Sequence, residues 1–425
     1  MATIPSLALI PSGYKASKVY SVLPTDGTGD FDFTRSGNAT RVNSDGLIEL
    51  VSTNVPRLNY PLIDGVVNGC PSLLLEPQRI NLLPYSEAFD NAYWNKTNSS
   101  VVSGFVSPNG TTNAFKLVED TSTGIHILQP TTPITTVIGT SYSLSAFYKI
   151  GERPYAIIGL HYNSSNGCIA EYEFSTDTFV YLGAAGANYS ISNLKSIILA
   201  NGFVKLSCTV TTGHTVAFPS FGIHKDLLTS GIIGNNVYTG DGTSGVYIWG
   251  AQVELGSYAT SYIPTQGASA TRVGEVCSQT PPVGIIGQTE GTIFADFEIQ
   301  TTGQDMVIMN ISNLSTPTNG IYFYLTSPNQ LAAYVDNGGQ QVLITSGVLA
   351  QGKYKAAFGY KANDFAFYLN GNLVGVDNSG NVPTCSVFQL DNYTAAPTYQ
   401  EKTEIAEAKL YNTRLSNSEL QALTS

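Results

Sequence analysis

Residues 31–83, FDFTRSGNATRVNSDGLIELVSTNVPRLNYPLIDGVVNGCPSLLLEPQRINLL, decide how the rest of the chain is read. Phe31, Phe33, Val42, Leu47, Ile48, Leu50 and Val51 are apolar or β-forming. Ser36-Gly37-Asn38, Asn43-Ser44-Asp45-Gly46 and Asn68-Gly69 interrupt them with residues that tolerate positive φ. The pattern predicts short strands joined by tight turns. Arg35, Arg41, Arg57 and Arg79 recur within it, in a chain with 20 Lys and Arg among 425 residues. A guanidinium fork suits fixed hydrogen bonds to carbonyls and carboxylates, and irregular backbone needs side-chain partners for its polar groups. The four arginines therefore read as structural clasps, and the stretch as a joint between a short leading segment and a β-rich remainder.

Composition extends this outward. Only 12% of residues are charged, about half the usual share, so Asn, Ser, Thr, Gly and Tyr must cover the surface. With 25 Tyr, 41 Gly and 20 Pro the chain predicts an all-β, turn-rich protein, because aromatic side chains suit pleated surfaces and Gly and Pro suit their corners. Its length calls for more than one core. A net charge of −11 and a pI near 4.8 argue against a nucleic-acid partner, since phosphate binding draws on clustered Lys and Arg. The first residues lack a charged n-region, and no run approaches the ~20 apolar residues of a membrane span. The expectation is a protein made in the cytoplasm without export or membrane insertion. Five widely spaced cysteines, Cys70, Cys168, Cys208, Cys277 and Cys385, show no metal spacing and read as free thiols.

Taken in order, residues 1–30 carry Pro5, Pro11 and Pro24 and are too short to bury Leu7, Leu9, Ile10, Val19, Tyr20 and Val22 by themselves. They are expected to be an anchor segment lying against other proteins or sister subunits, the alternative being a tail packed on its own domain. Residues 31–83 form the connecting β-module. Residues 84–262 alternate in strand-length segments and predict a jelly-roll β-sandwich, with Trp94 and Trp249 in its core. Residues 263–289 read as a linker, through Pro264, Pro281, Pro282 and intervening glycines. Within them Ala270-Thr271-Arg272-Val273 repeats Ala39-Thr40-Arg41-Val42, which suggests that both copies dock alike onto a neighbouring sheet. Residues 290–425 predict a second sandwich with a hairpin at Asn370-Gly371 and a terminal helix opened by a Ser416-x-x-Glu419 capping box.

Three groups of motifs carry resemblances. DFTRSGNATRVNSDGLIE, NVPRLNY and CPSLLLEPQRINLLPYSE, within Pro11 to Trp94, resemble a module of tailed-bacteriophage structural proteins that precedes lectin-like β-domains in fibres. AYWNK and VYTGDGTSGVYIWGAQVE resemble the opening and closing strands of jelly-roll carbohydrate-binding modules. FAFYLNGNLVG and AKLYNTRLSNSELQAL resemble the concanavalin A-like lectin/glucanase superfamily, including laminin G-type domains. Together they imply a virion structural protein, a head or tail fibre displaying lectin-like domains for attachment to host or environmental glycans. They also imply contacts with other virion proteins through the N-terminal segment, and a homotrimer.

That superfamily includes hydrolases, whose glucanases carry Glu-x-Asp-x-x-Glu on one strand so that carboxylates share a sheet face. No such run occurs here. Asp296 and Glu298 lie on one face, but Glu404 and Glu407 are expected on opposite faces of their strand. His126, His161, His214 and His224 have no nucleophile motif beside them. The reading is a non-enzymatic protein without a cofactor. Asp336, Asn337, Asp364, Asp377, Asp391 and Asn392 are loop oxygens that could serve calcium. Lectin-like loops use Asn, Asp, Gly and an aromatic ring, which singles out Tyr334, Asp336, Asn337, Asn392 and Tyr393 as ligand-binding candidates, with catalytic and metal residues absent. The alternatives from other classes are a polysaccharide depolymerase of the virion and a capsid decoration protein binding only other virion proteins.

Overall fold

The computed structural model describes residues 3–228, 231–235, 237–300, 303, 305–314, 319–391 and 400–425. Among the described residues the chain is all-β, with two sandwiches of antiparallel sheets and one short terminal α-helix. The two sandwiches are not strung in sequence. Residues 3–83 build one sandwich together with the strands after residue 270, and the other sandwich is inserted between these two parts.

The inserted sandwich places Trp94–Thr97, Ile127–Pro130, Val216–His224, Tyr155–Asn163, Asn166–Glu173 and Thr178–Ala185 in one sheet. Ser99–Phe105, Ala114–Glu119, Gly245–Leu255, Ser141–Lys149, Val204–Thr211 and Ser190–Ile198 form the other. Alternation along these strands buries Leu144, Ile158, Tyr172, Leu206, Phe221 and Ile248 between the sheets. Trp94 and Trp249 are 2% and 1% exposed, and each indole N–H finds an acceptor: Tyr85 O at 2.9 Å and Asn113 Oδ1 at 3.1 Å. Both rings thus serve the interior, where a large aromatic surface gains most from burial.

In the outer sandwich, Asn372–Asp377, Phe365–Leu369, Gly352–Lys361, Glu290–Ile299, Thr403–Tyr411, Ser72–Leu75 and Leu58–Asn59 form one sheet, and Leu7–Leu9 adds to Thr403–Tyr411 in the register Leu7 to Leu410. The facing sheet runs from Tyr14–Lys15 through Lys18–Val19, Phe31–Thr34, Val276–Gln279, Val387–Leu390, Met306–Ser312 and Gly320–Thr326 to Gln330–Asp336 and Gln340–Val348.

Two expectations are corrected here. Residues 1–30 need no outside surface for their core-facing side chains, because Leu7, Leu9 and Val19 are fully buried with Phe297, Phe388 and Leu410. Ile10, Tyr20 and Val22 stay exposed on the other side. The stretch 263–289 is not a plain linker: Val276–Gln279 lies between Phe31–Thr34 and Val387–Leu390, with Cys277 fully buried. Both corrections have one cause, that strand partners lie hundreds of residues apart and composition does not record pairing.

At the C-terminus, Asn417–Thr424 is helical and Ser416 and Glu419 close a reciprocal capping box. Leu420 packs the helix onto Phe294, Ala357 and Tyr368. Asn370 and Gly371 both take positive φ, 46° and 74°, as a type I′ hairpin requires.

Candidate functional site

The opening stretch meets the inserted sandwich at a buried ionic cluster. Arg57 donates from Nε and Nη2 to both oxygens of Glu275 at 2.6 Å, and from Nη1 to Glu76 Oε2 at 2.8 Å and Ser261 Oγ at 2.7 Å. Arg35 reaches Glu275 at 3.1 Å, and Arg272 reaches Glu76 at 2.8 Å and Thr260 Oγ1 at 2.9 Å. All five ionic side chains are inaccessible to water. Burial works against each charge, yet Arg272, Arg57 and Lys402 hold the Glu76 carboxyl well below its ordinary range, and Glu275 and Glu76 raise Arg57 further. Such a cluster stands because every charge has an opposite partner, and among its donors Arg272 Nε alone lacks an acceptor among the described residues.

The repeated tetrapeptide behaves unlike the expectation of two similar dockings. Ala39–Val42 pairs with Ile48–Val51, and Ala270–Arg272 pairs with Arg79–Asn81, each as a separate two-stranded ribbon. Arg41 is partly exposed on Glu49 and Tyr14, whereas Arg272 is fully enclosed. Turn glycines complete the joint. Gly46 has φ +73°, and a Cβ there would stand 2.8 Å from the Cβ of Ala200 in the inserted sandwich.

Beside this cluster the two sandwiches leave a groove of about 420 Å³, within the ~300–1,000 Å³ of small-molecule sites. One wall is the ribbon of the opening stretch, with Asn59 and Tyr60. The inserted sandwich contributes Lys195 and Lys205, and the outer sandwich Glu298, Gln300, Lys353, Lys402 and Glu404. A smaller recess of about 60 Å³ shares Lys195, Lys205, Gln300 and Lys402 and extends toward Ser257 and Tyr258.

The carboxylates of the groove, Glu298 and Glu404, are cross-strand partners, and a bulge in the same strand pair corrects the expected facing of Glu404 and Glu407. Glu298 lies opposite Glu404 and Asp296 opposite Glu407, with the register shifting between Asp296 and Phe297. One extra residue, Ala406, is accommodated, so Glu404 and Glu407 share a face although they are three apart. Gln300 Nε2 donates to Glu298 Oε1 at 3.2 Å and to Glu404 Oε1 at 3.0 Å, and Asn59 Nδ2 donates to the same Glu404 oxygen at 3.1 Å. Burial, with Glu298 adding to it against Lys402, pushes Glu404 up to about 7. Burial also pushes Lys205 down to about 8, helped by the like charge of Lys402, and lowers Lys195 for the same reasons.

Of the ligand-binding residues expected from sequence, Tyr334, Asp336 and Asn337 come together at the hairpin joining Gln330–Asp336 to Gln340–Val348, in the sheet facing away from the groove. Tyr334 Oη donates to Asp336 Oδ2 at 2.6 Å, Gly339 N donates to Asp336 Oδ1 at 2.9 Å, and Asn337 is exposed. None of the three lines the groove. Asn392 and Tyr393 lie outside the described residues. Among the oxygens considered for calcium, Asp364 accepts from Arg414, Asp377 from Ser379 and Asp391 from Thr403, and no group of three or more His, Cys, Asp or Glu suited to a metal occurs among the described residues. The histidines are taken up structurally. His161 bonds Ser220 at 2.8 Å in the interior, where burial pushes it down to about 4, and His214 stacks on Tyr162.

No family model and no curated protein matches the chain. Among solved structures, the carbohydrate-binding module of the Ruminococcus gnavus IT-sialidase is similar at 14% identity and a TM-score of 0.29, over 33% of this chain and 84% of that one. The NanB sialidase of Streptococcus pneumoniae is similar at 15% identity and TM-score 0.29, over 33% of this chain and 25% of that one. The Trypanosoma rangeli sialidase aligns over 93% of this chain and 81% of its own at 13% identity and TM-score 0.26. None of the three is titled as a virion protein. The expectation of a non-enzymatic chain is corrected by the last of them: the structures spanning nearly the whole chain are sialidases, so the absence of enzymatic activity no longer stands as a reading. At these identities and scores the likeness assigns the chain no reaction, and what the comparisons leave in place is an all-β protein of sandwiches with carbohydrate-binding and sialidase structures among its neighbours.

Proposed function

We propose that the chain recognises glycans in the groove between its two sandwiches and is carried on a phage particle as part of a head or tail fibre. The groove supports the first half of this reading. It brings Asn59 and Tyr60 of the opening stretch together with Gln300, Lys353 and the Glu298–Glu404 pair of the outer sandwich, a mixture of donors and acceptors for sugar hydroxyls with a ring for a sugar face. The hairpin at Tyr334, Asp336 and Asn337 remains a secondary candidate contact. The resemblance over Pro11 to Trp94 supports the second half, and a trimer belongs with it; the buried Leu7 and Leu9 no longer supply a reason for one. A glycan array probed with the full chain tests recognition. Retained binding in Gln300→Leu would move the site elsewhere, and binding to no glycan would remove the reading. Labelled antibody on intact virions and light scattering of the chain test the location and the trimer.

A second reading, hydrolysis of the bound glycan, is favoured by one observation. Glu298 and Glu404 share the Gln300 amide in the groove, and Glu404 retains its proton near neutrality. In glycoside hydrolysis one carboxyl protonates the leaving oxygen while its partner attacks or directs water. Reducing-sugar release that disappears in Glu404→Gln while binding persists would establish it, and no release from any bound glycan would end it.

A further inference from the structure

We propose that the ligand of the groove is an acidic polysaccharide, whose carboxylate or sulfate groups sit among Lys195, Lys205 and Lys402. This rests on the glycan reading and narrows it to a substrate class. The observation is a local excess of positive charge in a chain whose net charge is −11. Lys195, Lys205, Lys353 and Lys402 line the groove against Glu298 and Glu404, and three of the lysines also line the adjoining recess.

These ammonium groups are only loosely engaged by the fold. Lys205 donates to a neutral carbonyl, Thr260 O, at 2.5 Å. The Lys195 ammonium makes no hydrogen bond or ion pair among the described residues, its backbone carbonyl accepting from Ser207 Oγ at 3.4 Å. Lys402 stands 3.9 Å from Glu76, a carboxylate already taken by Arg57, Arg272 and Ser261. Half-buried cations placed together with only distant or shared counter-ions raise the cost of the empty groove, and an anion entering between them lowers it. Lysine suits this purpose as a flexible point charge with three rotatable donors. Glu298 and Glu404 face the same groove, where they accept from Gln300 and Asn59, and the four lysines outnumber them. A net negative chain repels polyanions at long range, so any affinity for one must come from a local arrangement such as this.

The test is titration calorimetry of the full chain with three oligosaccharide probes: oligogalacturonate for carboxylate, sulfated dextran oligomers for sulfate, and unmodified dextran oligomers as the neutral control. Either acidic probe is expected to bind at least tenfold tighter than the neutral one. Lys195→Met and Lys402→Met should each lower that affinity tenfold or more, with the unfolding midpoint of Lys195→Met nearly unchanged because its ammonium makes no hydrogen bond or ion pair in the fold. The two acidic arms tell carboxylate from sulfate. Equal binding of neutral and acidic probes would overturn the inference and keep the glycan reading. Acidic binding that both variants leave intact would overturn the placement in this groove, and no binding of any probe, with a blank glycan array, would remove both.

Discussion

The two copies of Ala-Thr-Arg-Val offer one experiment in which local sequence is held constant and burial varies. Arg272→Met removes a guanidinium that is inaccessible to water and bonded to Glu76, Thr260, Ser261 and Pro77 O. Breaking a fully buried ion pair costs roughly 3–5 kcal/mol. Glu76 keeps Arg57 at 2.8 Å and the Ser261 hydroxyl at 2.6 Å, so the lower end, about 3 kcal/mol, is the expected loss. Arg41→Met removes a partner of Glu49, whose side chain is 41% exposed, and exposed pairs contribute about 0–1 kcal/mol. Urea unfolding followed by far-ultraviolet circular dichroism, which sees both sandwiches, should show the Arg272→Met midpoint falling by roughly 1 M at an m-value of about 3 kcal/mol/M. The Arg41→Met midpoint should move by a small fraction of that. Similar midpoints for the two variants, or a loss under about 1 kcal/mol for Arg272→Met, would refute the claim that this cluster holds the joint together.

Three further outcomes follow from the same coordinates. Leu9→Ala should cost about 2–5 kcal/mol in the same urea assay, since the side chain is fully buried; an anchor segment standing clear of the core would give almost nothing. Glu404 has its folded-state pKa raised from 4.5 to about 7, so the folded form binds the proton more tightly and stability rises as pH falls from 7 to 4.5. Glu404→Gln should therefore stabilise the protein at pH 8 by up to roughly 3 kcal/mol and flatten the pH dependence across that window, read from unfolding midpoints at several pH values. Binding of an acidic oligomer should weaken roughly tenfold, or about 1.4 kcal/mol, between pH 6 and pH 9. Over that range Glu404, facing Glu298, Gln300, Asn59, Lys195 and Lys402, gains charge, and Lys205, facing Lys402, Glu254 and Arg272, loses its proton; calorimetry showing a rising affinity would contradict it.

What the sequence made legible was local. Turn residues such as Asn370-Gly371 and the Ser416–Glu419 cap depend on neighbours a few residues away, and the burial of both tryptophans and the all-β class follow from residue type, so each can be read where it stands. The arginines of the opening stretch were readable as clasps, but not their partners. Glu275 lies in a segment whose prolines and glycines suggest a linker, some 240 residues from Arg35. The groove was hidden for two reasons. It lies between parts of the chain that meet only in three dimensions, and its carboxylates, Glu298 and Glu404, face each other across two strands far apart in the chain, a pairing that residue types do not record. The loop candidates failed to reach it because an Asn- and Gly-rich surface supplies many loops with lectin-like composition.

The placement of Leu7–Leu9 beside Thr403–Tyr411 also sets a schedule for synthesis. At roughly 5–20 residues per second a ribosome needs on the order of 20–80 seconds to make the second strand after the first. During that interval residues 84–262, whose strand pairings are internal, can fold as they emerge. The leading strands must wait with their apolar side chains uncovered. Nascent chains of this protein are therefore most open to misassociation, and most in need of a chaperone, over the long middle of translation, and a codon change that slows the final third would lengthen that exposure without altering a single residue.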